Sequence, residues 1–169
     1  LLATLAAKSE ETEEHAERLR HYCEKLGRML GISNKEMDEM SLFAMLHDIG
    51  KVGINDAILQ KPGTLTEAEW LEMKKHPEIG FRIAQNNVDL APISEYILSH
   101  HERWDGGGYP RGLKGKEIPV LSRILAIVDA FDAMTNERIY SKARSREEAA
   151  EEILRCAGTQ FDQIGRAHV

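Results

Sequence analysis

Seven histidines are spread over a chain of 169 residues, and five of them fall where helices would let them converge: His15, His47, His76, His100 and His101. His47 is followed directly by Asp48, which sets an imidazole and a carboxylate side by side after the apolar run Leu42-Phe43-Ala44-Met45-Leu46. Such a pair can hold one ion through the ring and bridge two through the acid. Glu11 lies four residues before His15, on the same helical face. Asp129 sits inside the apolar sequence Ile124-Leu125-Ala126-Ile127-Val128-Asp129-Ala130, where an unpaired carboxylate is costly to bury and asks for a partner. His21 is six residues past His15 and projects from a different side of the helix. His168 lies in an irregular tail.

Each of these residues also has an ordinary reading. A single histidine on an apolar face is commonly a hydrogen-bonded core residue. Glu11 with His15 could be a solvated helix face, and His100-His101 a helix end complementing the dipole. Those readings must hold independently, whereas one metal cluster accounts for all the positions. Imidazole and carboxylate without thiolate favour iron, manganese or a similar divalent ion over a structural zinc. More than four candidate ligands imply at least two ions.

The elements that must carry these residues read as helices. Apolar residues recur at helical spacing over residues 2–30, with Gly31 as a stop. Ser33 with Glu36, Thr66 with Glu69 and Ser145 with Glu148 each form a capping box. They open helices running through Met45, over residues 67–75, and to about residue 157. Residues 50–63 are a segment marked by Gly and Pro. Pro77 suits the first turn of a helix over residues 78–86. Pro92 starts another, ending at His100, and Pro119 leads a strongly apolar one over residues 120–134. Between these last two, residues 103–119 hold five glycines and two prolines. An irregular stretch of that length inside a domain is usually functional. With no alternating strand of useful length, the expected fold class is all-α.

Composition narrows the function. The length fits one domain, and 42% hydrophobic residues suffice for a core. A formal net charge of −6 argues against a groove for polymeric nucleic acid. Two cysteines, Cys23 and Cys156, make neither a disulfide framework nor a zinc knuckle, so a reducing, cytoplasmic setting is expected. No apolar run is long enough to span a membrane. The opening Leu1-Leu2-Ala3-Thr4-Leu5 lacks the basic start of a signal peptide and reads as the interior of a helix, so the sequence is expected to be a segment of a longer protein.

Taken together, these residues resemble the HD-GYP subgroup of the HD metal-dependent phosphohydrolases. The matching runs are His47-Asp48-Ile49-Gly50-Lys51, Lys61-Pro62-Gly63 and His76-Pro77-Glu78-Ile79-Gly80. They continue with His100-His101-Glu102-Arg103-Trp104-Asp105-Gly106-Gly107-Gly108-Tyr109-Pro110, Asp129-Ala130-Phe131-Asp132-Ala133-Met134-Thr135 and Gly158-Thr159-Gln160-Phe161-Asp162. The resemblance covers residues 4–162, expected to form the domain, and leaves 163–169 as an irregular tail that need not be native. It implies a single bundle of about seven helices with a Gly-rich substrate loop. It also implies a metal-dependent phosphodiesterase that opens the cyclic dinucleotide c-di-GMP to linear pGpG, and in some members onward to GMP.

The resemblance maps metal ligands onto His15, His47, Asp48, His76, His100, His101 and Asp129. Glu11 matches the extra carboxylate of members holding three ions instead of two. Two divalent ions about 4 Å apart can acidify a shared water and clamp a phosphate oxygen. The hydroxide so formed would attack phosphorus in line and expel the ribose 3′ oxygen, with Asp48 as the bridging carboxylate and Lys51 offsetting charge on the phosphate. Lys51 could instead be a cation at a helix end.

Tyr109 would stack on or hydrogen-bond the substrate, or else anchor the loop, a role Trp104 fits better. Arg138 matches a position contacting phosphate or guanine, and could equally be a surface charge. The family often has Pro next and a basic residue three beyond. Here Ile139 and Ser141 occupy those places and Lys142 follows, which puts the hold on the second guanine in doubt. The resemblance further allows a homodimer and an upstream sensory or regulatory domain. The same chemistry on another cyclic dinucleotide, such as cyclic GMP–AMP, and a non-catalytic cyclic-dinucleotide-binding or interaction module are the alternative functions.

Overall fold

Ser33, Thr66 and Ser145 each accept a hydrogen bond from the backbone N–H three residues on, while the glutamate there reaches back, so all three expected capping boxes form. They open three of the helices in the computed structural model, which describes residues 13–136 and 143–164. In chain order the helices are α1 (Glu13–Leu30), α2 (Asn34–Leu46), α3 (Asp56–Leu59), α4 (Glu67–Met73), α5 (His76–Gln85), α6 (Ser94–Ser99), α7 (Val120–Thr135) and α8 (Arg146–Arg155). Seven of these have six residues or more, in keeping with the expected bundle, and no strand occurs among the described residues.

Within the Gly/Pro-marked segment the chain is more regular than its composition suggests. A 3₁₀ turn covers Ile49–Gly53, and Asn55 caps the four-residue α3 by accepting from the Ala57 N–H at 2.9 Å. Pro92 lies in a 3₁₀ turn, Ala91–Ile93, that leads into α6.

Burial follows the helical period. In α1 the buried residues are His15, Leu19, Cys23 and Gly27, each four after the last, so the histidine lies on the core-facing stripe. Exposed His21 points away from it. The main core joins Leu19 and Cys23 of α1 to Met40 and Phe43 of α2 and to Leu121, Ile124 and Leu125 of α7. A smaller cluster of Ile127, Ile153 and Phe161 packs on the other side of α7. α7 is therefore apolar on two faces because it is covered on both. Cys23 and Cys156 are free thiols. Among the described residues no helix is long and apolar enough to cross a membrane.

One crossing fixes the centre of the molecule. The 3₁₀ turn after Asp48 lies against the start of α5, with Gly50 meeting Gly80. A Cβ on Gly50 would stand 1.8 Å from the His76 carbonyl oxygen and 2.6 Å from the Gly80 nitrogen. Only glycine permits that approach, and the approach brings His47-Asp48 up to His76.

Candidate metal centre

Two adjoining groups of donor atoms form where these elements meet. Asp48, His76, His100 and His101 offer ligand atoms lying within 4.8 Å of one another, and so do His15, His47 and Asp129. The donors come from α1, the end of α2, the first residue of α5, the end of α6 and the middle of α7. Asp48 lies between the groups. Its Oδ1 is 2.9 Å from His76 Nε2 and 3.5 Å from His100 Nε2, while its Oδ2 is 3.2 Å from His47 Nε2. His15 Nε2 is 3.8 Å from Asp129 Oδ1. Seven of the eight expected ligands are thus brought together. Glu11 lies outside the described residues, as does Arg138.

The ring orientations follow from local hydrogen bonds. His47, His76 and His100 each turn Nδ1 toward the carbonyl three residues earlier, on Ala44, Met73 and Ile97, at 3.0, 2.8 and 2.6 Å. A carbonyl only accepts, so Nδ1 donates and the neutral ring keeps its lone pair on Nε2. Those Nε2 atoms face inward. His76 Nε2 stands 3.2 Å from the Nε2 of both His100 and His101. Burial lowers the pKa of His100, against the opposing pull of Asp48, and lowers that of His101 further, helped by its neighbour His100. With Nδ1 of His76 and His100 both donating to carbonyls, their Nε2 lone pairs face each other and repel unless a cation stands between them. The donor set, nitrogen and carboxylate oxygen without sulfur, fits a divalent metal ion.

His15 is held differently. Its Nδ1 donates to Asp132 Oδ2 at 2.7 Å. Asp132 also accepts from Arg18 Nε at 2.6 Å, Arg18 Nη2 at 3.0 Å and Asn136 Nδ2 at 2.9 Å. Burial works to raise the Asp132 carboxyl, but the hydrogen bonds from His15 and Arg18 outweigh it and hold the group at about 2. Sequence reading gave Asp132 no role. The available signal was spacing: Asp129 and Asp132 share one face of α7, and His15 and Arg18 one face of α1.

Lys51 Nζ donates to Asp48 Oδ2 at 2.7 Å, which sets the ammonium at the edge of the centre. The Tyr109 ring stacks on His101, with centroids 4.9 Å apart and planes at 24°, and Lys74 Nζ lies 5.5 Å from its centroid. Burial, with the charge of Asp48, pushes the Tyr109 phenol up to about 12, so it stays a neutral donor at ordinary pH. Trp104 does anchor the loop. Its backbone N–H donates to the Gln160 carbonyl at 3.1 Å, and Arg123, which donates to Asp162 at 2.6 Å, lies over its ring.

Glu102 is a second residue that sequence reading passed over. Buried, it accepts from the N–H groups of Arg111 and Leu113 at 2.8 and 3.0 Å and so shapes the glycine-rich loop. In that loop a Cβ on Gly108 would meet the Arg103 nitrogen at 2.4 Å. A cavity of about 230 Å³ opens beside the donors, lined in part by His101, Arg103, Asp129 and Gln160.

The chain is similar to known proteins in sequence and in fold. The HD domain family model matches residues 1–164. Over 153 residues the chain is 46% identical to a cyclic di-GMP phosphodiesterase of Thermotoga maritima, covering 89% of this chain and 42% of that one. It is 40% identical over 164 residues to the 3'3'-cGAMP-specific phosphodiesterase 2 of Vibrio cholerae, covering 96% and 31%. The crystal structure of a cyclic GMP-AMP specific phosphodiesterase of V. cholerae superposes with a TM-score of 0.74 at 23% identity, over 98% of this chain and 45% of that one, a likeness of fold.

The chain belongs to the HD domain family. Its paired histidines and Gly-Tyr-Pro loop make it an HD-GYP domain. It spans less than half the length of the curated relatives it matches.

Proposed function

We propose that this domain is a metal-dependent phosphodiesterase that hydrolyses c-di-GMP to linear pGpG, and onward to GMP where the product can rebind. One observation carries the reading: five imidazoles and two carboxylates converge as two adjoining donor groups with Asp48 between them, in a chain whose relatives are named for cyclic-dinucleotide hydrolysis.

His15, His47 and Asp129 would hold one divalent ion, and His76, His100 and His101 another, with Asp48 shared. Glu11 is assigned as the extra ligand of a third. Oxygen and imidazole donors favour iron or manganese. Bound there, such ions supply an acidified water near neutral pH and a clamp on phosphate oxygen.

The chain's own side chains do the rest. The Nδ1 hydrogen bonds fix the rings of His15, His47, His76 and His100 so that Nε2 faces inward. Lys51, whose ammonium has three donors, steadies Asp48 and gives positive charge to the phosphate. Tyr109 offers a ring face and a neutral hydroxyl beside His101, and Arg138 is assigned to phosphate or guanine. Asp48 and Lys51 are the residues placed at the reacting phosphate.

A second substrate has support of its own, because a relative 40% identical over nearly the whole chain is named for 3'3'-cGAMP. The test is turnover of c-di-GMP and of 3'3'-cGAMP by protein loaded anaerobically with iron or manganese, products being separated by chromatography. The expected result is pGpG from c-di-GMP. Cleavage of the mixed dinucleotide alone would transfer the assignment to it, and cleavage of neither would refute both.

A further inference from the structure

The two donor groups orient their rings by different means. In the group with Asp48, the rings of His76 and His100 are held by backbone carbonyls one turn back in their own chain segment. In the other group, His47 is held the same way, whereas the Nδ1 of His15 is held by a carboxylate from a helix 117 positions away in sequence. A carbonyl is neutral, and it moves with the helix that bears the histidine. Asp132 carries a full charge and has its own supports, Arg18 on α1 and Asn136 just past the end of α7. Its side chain is 1% exposed, so water does not replace it. An imidazole donating to a buried carboxylate is a more basic ligand than one donating to a carbonyl, and such partners typically change metal affinity about 10–100-fold.

We propose that Asp132 is a positioning residue that sets, separately from the rest of the centre, how tightly the His15–His47–Asp129 group holds its ion. The inference rests on the metal centre assigned above. It makes the two sites unequal in origin: the affinity of one is built into local helix geometry, and that of the other depends on the packing of α1 against α7. Loosening that contact would release one ion and leave the other.

The experiment is calorimetric titration of metal-stripped protein with manganese(II), on the native sequence and on Asp132→Asn. The native protein is expected to bind at least two ions. Asp132→Asn is expected to weaken one of them about 10–100-fold and leave the other unchanged. Its hydrolytic activity should fall at micromolar manganese and return at millimolar manganese, a rescue that misfolding would not allow. Equal weakening of both ions, or no weakening, overturns the inference while leaving the metal centre intact. A native protein that binds no manganese overturns the centre itself.

A measurement on the unsubstituted chain keeps the proposal testable if the variant does not fold. Long-range ¹H–¹⁵N spectra of the metal-free protein should show His15 protonated on Nδ1. Protonation on Nε2 alone would contradict the hydrogen bond on which the proposal stands.

Discussion

The centre has two sides, and they owe their order to different things. On the side of Asp48, His76, His100 and His101, ring direction is mostly a local matter: the hydrogen-bond partners of His76 and His100 are three residues away. What must be assembled over distance is the approach of two segments, and a pair of glycines makes that approach possible. On the side of His15, His47 and Asp129, the apolar stripe of α1 brings His15 inward, but its ring is aimed by Asp132 on α7. The first side depends on backbone fit and the second on side-chain chemistry. Substitutions should therefore damage them in separable ways.

Asp48 reaches toward both, through Oδ1 to His76 and His100 and through Oδ2 to His47, so its loss should be the most severe. Asp48→Ala is expected to abolish bound metal in both groups and bring hydrolysis below detection, measured by elemental analysis beside the turnover assay. Full metal stoichiometry in that variant would contradict its bridging position.

Gly50→Ala attacks the backbone-built side. Its new methyl would fall 1.8 Å from the His76 carbonyl, so the turn must lift away from α5. The expected cost is about 3 kcal/mol, the upper end of the usual range for overpacking, read from denaturation midpoints and accompanied by loss of metal. An unchanged midpoint would show that the crossing tolerates a side chain.

The smallest effect concerns acid. The Asp132 carboxyl is held at about 2, below the value of about 3.9 expected of an unfolded chain. A depressed pKa adds stability that is fully present above about pH 4 and is lost as the pH falls toward 2. The stability gap between the metal-free native protein and Asp132→Asn should accordingly be wide at pH 6 and narrow at pH 2.5. A gap independent of pH would mean that the carboxylate charge is not what holds His15.

Most of the frame was legible in the sequence because its signals are local. Three Ser/Thr-to-Glu capping boxes, the stop at Gly31 and the apolar run of α7 each act within a few residues of themselves. The ligand positions were legible as residue types at helix ends and on one helical face, sharpened by family resemblance. The supports around them were not. Asp132 and Arg18 read as ordinary charges on two helices until α1 and α7 are packed together. Glu102 reads as a helix-end charge until the loop folds back to give it two N–H donors. Gly50 reads as the start of a Gly/Pro-marked segment until Gly80 is laid against it. Each of these roles exists only between segments far apart in the chain.

If the converging histidines and aspartates form two adjoining metal sites, anomalous diffraction at the manganese edge from crystals of the manganese-loaded domain will show them. One peak is expected among Asp48, His76, His100 and His101 and another among His15, His47 and Asp129, with Asp48 touching both. A map with no anomalous peak in either group would contradict that assignment.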